Sequence, residues 1–502
     1  MQLRQIFWAI FFITFIIKLL FASLLPINSD EAYFVVWGSH LDYGYYDHPP
    51  MVGWWLWLML QISDALLWLR LPVVLVVSLI GWLIYRLLSE KGESVSVFAA
   101  AIYLLLPVNL AGMFITTDTP LILWMFLSII SFYFAIDKEK THLFLLAGLF
   151  LGLAVLSKYF SALLGFAYLV YFLVFARTKA GFKHLLLIYL ASLPFILLNL
   201  YWNYNHCWVN YLFNFVNRHG VEADEVTTGS AIIYWLMWLW VIPPLLYFAV
   251  KNRLQWPVVI KNNPVFVSLL FVPVLLFALL SFVKLIGLHW LLGFVPVAVI
   301  VMAALLSEQQ LRRSAIFLAV YSFLHIILLS VFLSSPFKFL PAENQHIKKA
   351  VLFFNSEQAS DAIKKYQGKY RLSTLTYSNS SVLSYYLREN VSVIGPGAFY
   401  ARQDDLNTDY RQWADQNVLI LTHIKGWLER YEALFAEHSY ETIRVNGHEF
   451  YLLLGNKFNY QMYHKEYLSD TLKYYQIPDS LPVGECYFYD KYFPAGKSSG
   501  KN

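Results

Sequence analysis

Apolar residues fall in long blocks along this chain, and polar residues collect between them. Runs long enough to cross a bilayer as helices cover 6–25, 70–88, 94–114, 120–136, 141–157, 159–176, 184–201, 230–250, 264–282, 288–306 and 314–334. Roughly 20 apolar residues span the hydrocarbon core, so the pattern predicts about eleven transmembrane helices. Met51 to Leu60 is too short to cross and is expected along the interface. Beyond 334 the rhythm changes. Strand-like runs VSVIG (391–395), NVLILT (417–422) and FYLLL (450–454) are separated by charged, helix-like stretches such as 357–366 and 425–437. Such alternation predicts a small α/β domain. The expected fold class is an all-α polytopic membrane domain, 1–334, followed by a small α/β domain, 335–502.

Charge supplies the orientation. With a cytoplasmic N-terminus, the inner loops hold Arg86 and Lys91; Lys138 and Lys140; Arg177, Lys179 and Lys183; Lys251, Arg253 and Lys261; and Arg312 and Arg313. Each is basic, as the positive-inside rule requires. The outer loops are then 26–69, 115–119, 157–159, 202–229 and 283–288, and an odd number of spans puts the C-terminal domain outside too. The first run is long enough to span and no small-residue cleavage site follows, so it reads as a retained helix rather than a signal peptide.

Composition agrees. Charged residues make up 14% against 59% hydrophobic and 18% aromatic, where soluble domains carry roughly 25% charged. The net charge of +5 comes with no basic cluster; it is explained by topology, and no nucleic-acid partner is expected. Two cysteines, Cys207 and Cys486, exclude a disulfide-rich scaffold and a Cys-based zinc site. Both fall on the outer, oxidising side, where a mutual disulfide and two lone thiols are both open.

The outer loops collect the chemistry. The first, NSDEAYFVVWGSHLDYGYYDHPP (28–50), contains Asp30, Glu31, Asp42, Asp47 and His48. The second is TTDTP with Asp118, the third SKYF with Lys158, the fourth NFVNRHGVEADE with Arg218 and His219, and the fifth KLIGLHW with Lys284 and His289. Ionisable groups at membrane depth are costly and point to function. Three cations on separate outer loops suit a phosphate whose lipid tail stays in the bilayer. Carboxylates such as Asp30 and Asp118 suit a general base that activates an acceptor attacking a sugar carbon, or a group that orients the acceptor or a metal. Glycosyl transfer from a lipid phosphate needs both parts, a stabilised leaving group and a base.

Plainer readings compete with these. Asp30 and Glu31 could only cap a helix starting at Ala32, and Asp118 a helix beginning near Pro120. Lys158 could snorkel to the headgroups. Arg218 could pair with Glu222 or Asp224, Lys284 and His289 could be interfacial beside Trp290, and His48 an ordinary loop histidine. The aromatic series could be an interface belt.

The segments DEAYF…WGSHLDYGYYDHPPMVGW, TTDTP and GLAVLSKYF, taken in that order, resemble the polyprenyl-phosphate-sugar-dependent glycosyltransferases of the GT-C fold. Within them the chain looks like the bacterial branch related to protein O-mannosyltransferases and to the lipid A aminoarabinose transferase. The likeness covers roughly residues 1–300. It implies an inner-membrane enzyme with a periplasmic active site. The donor would be a sugar on undecaprenyl phosphate and the acceptor lipid A or lipopolysaccharide, another glycan or a protein. It implies catalytic roles for Asp30, with Glu31 beside it, and Asp118. Donor and acceptor binding would fall to Asp47, His48, Lys158, Arg218, Lys284 and His289. Aminoarabinose-type relatives carry a lysine before the paired prolines; this chain has His48, which passes the phosphate role to Lys158, Arg218 or Lys284. The resemblance makes no cofactor certain. A divalent metal is left open, with Asp30, Glu31 and His289 as its candidate ligands. The rivals are a polyprenyl-linked glycan flippase, which would place charges at mid-membrane in broken helices, and an envelope oligosaccharide ligase, which would need no paired first-loop acids.

Overall fold

A computed structural model of the chain describes residues 2–217, 229–334, 345–398, 400–482 and 484–494. Two compact units emerge. One comprises Met1–Leu25, Ile62–Leu198 and Glu222–Val331; the other comprises Pro26–Gln61, Asn199–Val221 and Phe332–Asn502. Most of the first outer loop and part of the fourth thus group with the C-terminal segment rather than with the spans.

The first unit is helical and multi-pass in character. Among the described residues, six helices are long and apolar enough to cross a membrane: Leu3–Leu24, Leu66–Lys91, Asp118–Lys138, Lys179–Tyr204, Leu288–Leu305 and Glu308–Ser334. Two bent pairs, Gly229–Val241 with Pro243–Lys251 and Arg253–Asn262 with Pro264–Leu280, raise this to eight if each pair is one span. Three predicted spans are shorter helices, Glu93–Leu104, Thr141–Val155 and Tyr159–Val174. Proline explains two of the differences. Pro107 lacks an N–H and ends the run predicted over 94–114, which continues as a separate helix, Pro107–Ala111. Pro243 and Pro244 sit at the start of a helix bent by 100° from its predecessor.

Close packing inside this unit uses small residues. A Cβ at Gly148 would lie 2.2 Å from the Ile188 carbonyl oxygen, and one at Gly152 would lie 2.2 Å from the Phe195 ring. These two glycines, four apart on Thr141–Val155, let that helix approach Lys179–Tyr204 closely.

The second unit is built on a five-stranded sheet in the order β2-β1-β3-β5-β4. Its strands are β1 (Arg371–Thr374), β2 (Ser392–Val393), β3 (Val418–Thr422), β4 (Phe435–Val445) and β5 (His448–Phe458). β1 runs parallel to β2 and β3, while β3–β5 and β4–β5 are antiparallel. All five residues of β3 are buried. Val418 and Ile420 join one apolar cluster and Leu419 and Leu421 another, as the two-residue period dictates. The predicted helix-like stretch 425–437 is a 3-10 segment, Lys425–Leu434, followed directly by β4. Cys207 and Cys486 form a disulfide with a sequence separation of 279, which closes the alternative left open by the sequence.

Two elements occupy the first loop: the helix Ser29–Ser39 and the ten-residue helix Met51–Leu60. Most of the aromatic residues at and between these helices pack into a core, while Tyr43 is exposed. Trp37, Tyr45 and Tyr46 are fully buried, and Trp37 stacks on Tyr45 at 4.5 Å.

Candidate active site

In the helical unit, Asp118 opens the helix Asp118–Lys138 and Lys158 lies in the turn after Thr141–Val155. Lys158 Nζ donates to both Asp118 oxygens, at 2.8 and 3.0 Å. Both side chains are at least nine-tenths buried, so neither plain capping nor snorkelling describes them. An ammonium has three N–H groups and this pair takes at most two, which leaves one for a further acceptor. The Lys158 ammonium also sits 5.4 Å from the Phe160 ring centre. Phe160 packs 4.2 Å from Trp290, and Lys284 Nζ lies 5.9 Å from that same Trp290 ring. The His289 ring is 6.2 Å from Trp290. Aromatic packing therefore brings four predicted residues, Asp118, Lys158, Lys284 and His289, into one neighbourhood from three loops.

Sequence reasoning passed over Arg70 in this unit. It is fully buried and donates to the carbonyls of Ala22 (2.9 Å) and Leu25 (2.7 Å), satisfying acceptors at the end of Leu3–Leu24. It also missed Lys18, buried inside that first apolar helix and donating to Ser78 Oγ at 2.7 Å. A lysine on an otherwise apolar helix was the available signal for Lys18.

In the second unit, Asn28 caps Ser29–Ser39: its side chain accepts from Glu31 N at 2.8 Å. The helix starts at Ser29, not at Ala32, and the cap is Asn28. Asp30 and Glu31 occupy its first turn, where carboxylates are favoured. Glu31 is buried and Asp30 is exposed. The Tyr377 hydroxyl donates to Asp30 Oδ1 at 3.0 Å. Burial first, then the Asp30 charge, pushes that tyrosine hydroxyl well up from its ordinary value, so it stays a donor.

The rest of the first loop is held from segments far away in sequence. Asn210 Nδ2 donates to the Tyr45 carbonyl and Asn214 Nδ2 to the Asp47 carbonyl, each at 2.8 Å. Trp202 Nε1 donates to Asp42 at 2.9 Å. Gly44 must be glycine because a Cβ there would lie 2.4 Å from the Trp202 ring. Asp47 is buried, and its charge bears on both Tyr33 and Tyr377. The His48 ring lies 6.2 Å from Trp37. Arg218, with His219, falls outside the described residues.

Among the described residues, no three or more His, Cys, Asp or Glu side chains are grouped to hold a metal ion.

Residues 47–202 match a family model described as dolichyl-phosphate-mannose-protein mannosyltransferase. That stretch contains Asp47, His48, Asp118 and Lys158. A lipid A galacturonosyltransferase, RgtD, from Rhizobium johnstonii is 26% identical over 181 residues, which is 35% of this chain and 38% of that protein. Crystal structures of ArnT from Cupriavidus metallidurans, one in the apo state and one bound to undecaprenyl phosphate, match with a TM-score of 0.61 at 13% identity. The match covers 89% of this chain and 97% of ArnT. The chain has the ArnT fold. The resemblance carried by the first three outer loops is thereby borne out. The ArnT likeness also reaches past residue 300, into the C-terminal part the motifs left unmatched, because it covers nine-tenths of the chain.

Proposed function

We propose that this chain is a membrane glycosyltransferase that moves one sugar from a polyprenyl (undecaprenyl) phosphate carrier to an extracytoplasmic acceptor such as lipid A. The carrying observation is Asp30, an exposed carboxylate fixed by a helix cap and a tyrosine hydroxyl, on the fold of a protein crystallised with undecaprenyl phosphate. Asp30 acts as the base that takes the acceptor's proton, with Glu31 and Asp47 adding negative charge to the same loop. Lys158, Lys284 and Arg218 stabilise the charge that builds on the phosphate as the glycosidic bond breaks. Asp118 sets the direction of the Lys158 ammonium, and His48 and His289 contact the substrates. A single displacement by the activated acceptor inverts the anomeric centre.

The basic loops support about eleven crossings with a cytoplasmic N-terminus. In that arrangement the protein resides in the inner membrane and the residues after 334 are periplasmic. RgtD, a lipid A galacturonosyltransferase, supports lipid A as the acceptor class.

The two bent helix pairs favour one rival, a flippase. Purified protein in proteoliposomes with a labelled undecaprenyl-phosphate sugar and lipid A separates the two. The transferase reading expects label on lipid A by mass spectrometry. Label that crosses the bilayer and stays on its carrier would establish the flippase instead.

A further inference from the structure

The carboxyl ends of β1, β2 and β3 open onto a cavity of about 430 Å³. Leu375 and Thr376 enter it directly after β1, Val393 and Gly395 at the end of β2, and Trp427 and Tyr431 from the 3-10 segment after β3. β1 lies between β2 and β3, so the chain leaves it first to one side and then to the other. In open α/β sheets this reversal leaves a crevice beyond the carboxyl ends of the strands, where ligands bind. The volume lies within the roughly 300–1,000 Å³ of small-molecule sites.

The wall is purpose-shaped. Gly395 and Gly397 have φ of +92° and +55°, and a Cβ at Gly395 would lie 2.3 Å from the Tyr431 hydroxyl. Arg402 holds the loop by donating to the carbonyls of Pro396 (2.7 Å) and Ala398 (3.0 Å). Its charge is met by Asp405 through two further bonds at 2.7 and 3.2 Å. With that arginine committed to the wall, recognition falls to other side chains. Trp427 and Tyr400, 37% and 38% exposed, offer aromatic faces. Thr376, Ser378 and the exposed Arg430 offer polar contacts around them. Flat aromatic faces ringed by hydroxyls and one cation match a sugar, which has apolar C–H faces and a polar rim. Tyr377 lines this cavity and also donates to Asp30, so a saccharide seated here lies against the group that holds the proposed base.

We propose that this cavity binds the saccharide portion of the acceptor, with Tyr377 as the positioning residue between that sugar and Asp30. The inference rests on the transferase reading for the word acceptor but not for the binding itself. The test uses the full-length protein in lipid nanodiscs with lipid A as the probe. Trp427→Ala should weaken lipid A binding and raise its KM by about tenfold, while Trp427→Phe restores most of both. Binding of undecaprenyl phosphate should not change. Lipid A binding that ignores Trp427→Ala, or a wild-type protein that binds no lipid A, overturns the proposal. Trp427-dependent binding without any sugar transfer would refute the transferase reading and leave the saccharide site standing.

Discussion

Two acidic side chains, one in each unit, are each paired with a donor from a distant segment of the chain, and the pairs differ in kind. Asp118 is buried and bound by the Lys158 ammonium, whereas Asp30 is exposed and bound by a neutral phenol. Burying two charges requires that each neutralise the other, because the loss of hydration costs several kcal/mol per ion. The first pair is thus bound to its place by electrostatics, with both Asp118 oxygens engaged by the Lys158 ammonium. The second keeps its negative charge in contact with solvent and has one lone-pair face engaged. A base needs the second arrangement; a cation held for a phosphate needs the first.

The largest effect should come from breaking the first pair. Lys158→Met alone leaves a buried carboxylate and should cost about 3–5 kcal/mol, read as a fall in the unfolding midpoint in detergent. The double variant Asp118→Leu with Lys158→Met should recover most of that stability but not turnover. If turnover returns too, the pair is only structural.

The second unit is stapled where the first is not. Cys207→Ser opens a bridge between residues 279 apart and should cost about 2–5 kcal/mol. A third test sharpens the contrast in carboxylates. Asp404, in the wall of the cavity, is pushed up by burial to about 7 from 3.8. Because the folded form holds its proton more tightly, this group's contribution to stability is full below about pH 4 and declines as pH rises to about 7. Denaturant titrations of Asp404→Asn across that window should show a flatter profile than wild type. The smallest effect is Tyr377→Phe. It removes one hydrogen bond at the surface, about 1 kcal/mol of stability, and should lower turnover by less than any change to Asp30 itself.

What could be read in advance follows from locality. The spans were visible because hydropathy is summed over about twenty neighbours, and Leu3–Leu24, Asp118–Lys138 and Leu288–Leu305 begin within a few residues of their predicted starts. The central strand β3 was legible because both faces are apolar. The edge strand β4 was not: most of its residues from Ala436 to Glu441 are exposed and polar, a composition that protects an open edge from pairing with other chains. The start of the helix Ser29–Ser39 was placed three residues late, at Ala32, because its cap, Asn28, was passed over in favour of the acids that follow it. Asp30, Asp118 and Lys158 stood out as charges where charge is expensive. Tyr377 gave no such sign. Its partner lies 347 residues away in the chain, and one tyrosine among 35 carries no local pattern.

The claim on which the account turns is that Asp30 removes a proton rather than holding the donor. Asp30→Asn preserves shape and the bond from Tyr377 while removing the charge. Turnover and undecaprenyl-phosphate affinity, measured on the same preparation, should separate: turnover falls by about 10²–10⁴-fold and affinity stays at the wild-type value. Normal turnover in Asp30→Asn, or a loss of affinity that accounts for the whole fall in rate, would contradict it.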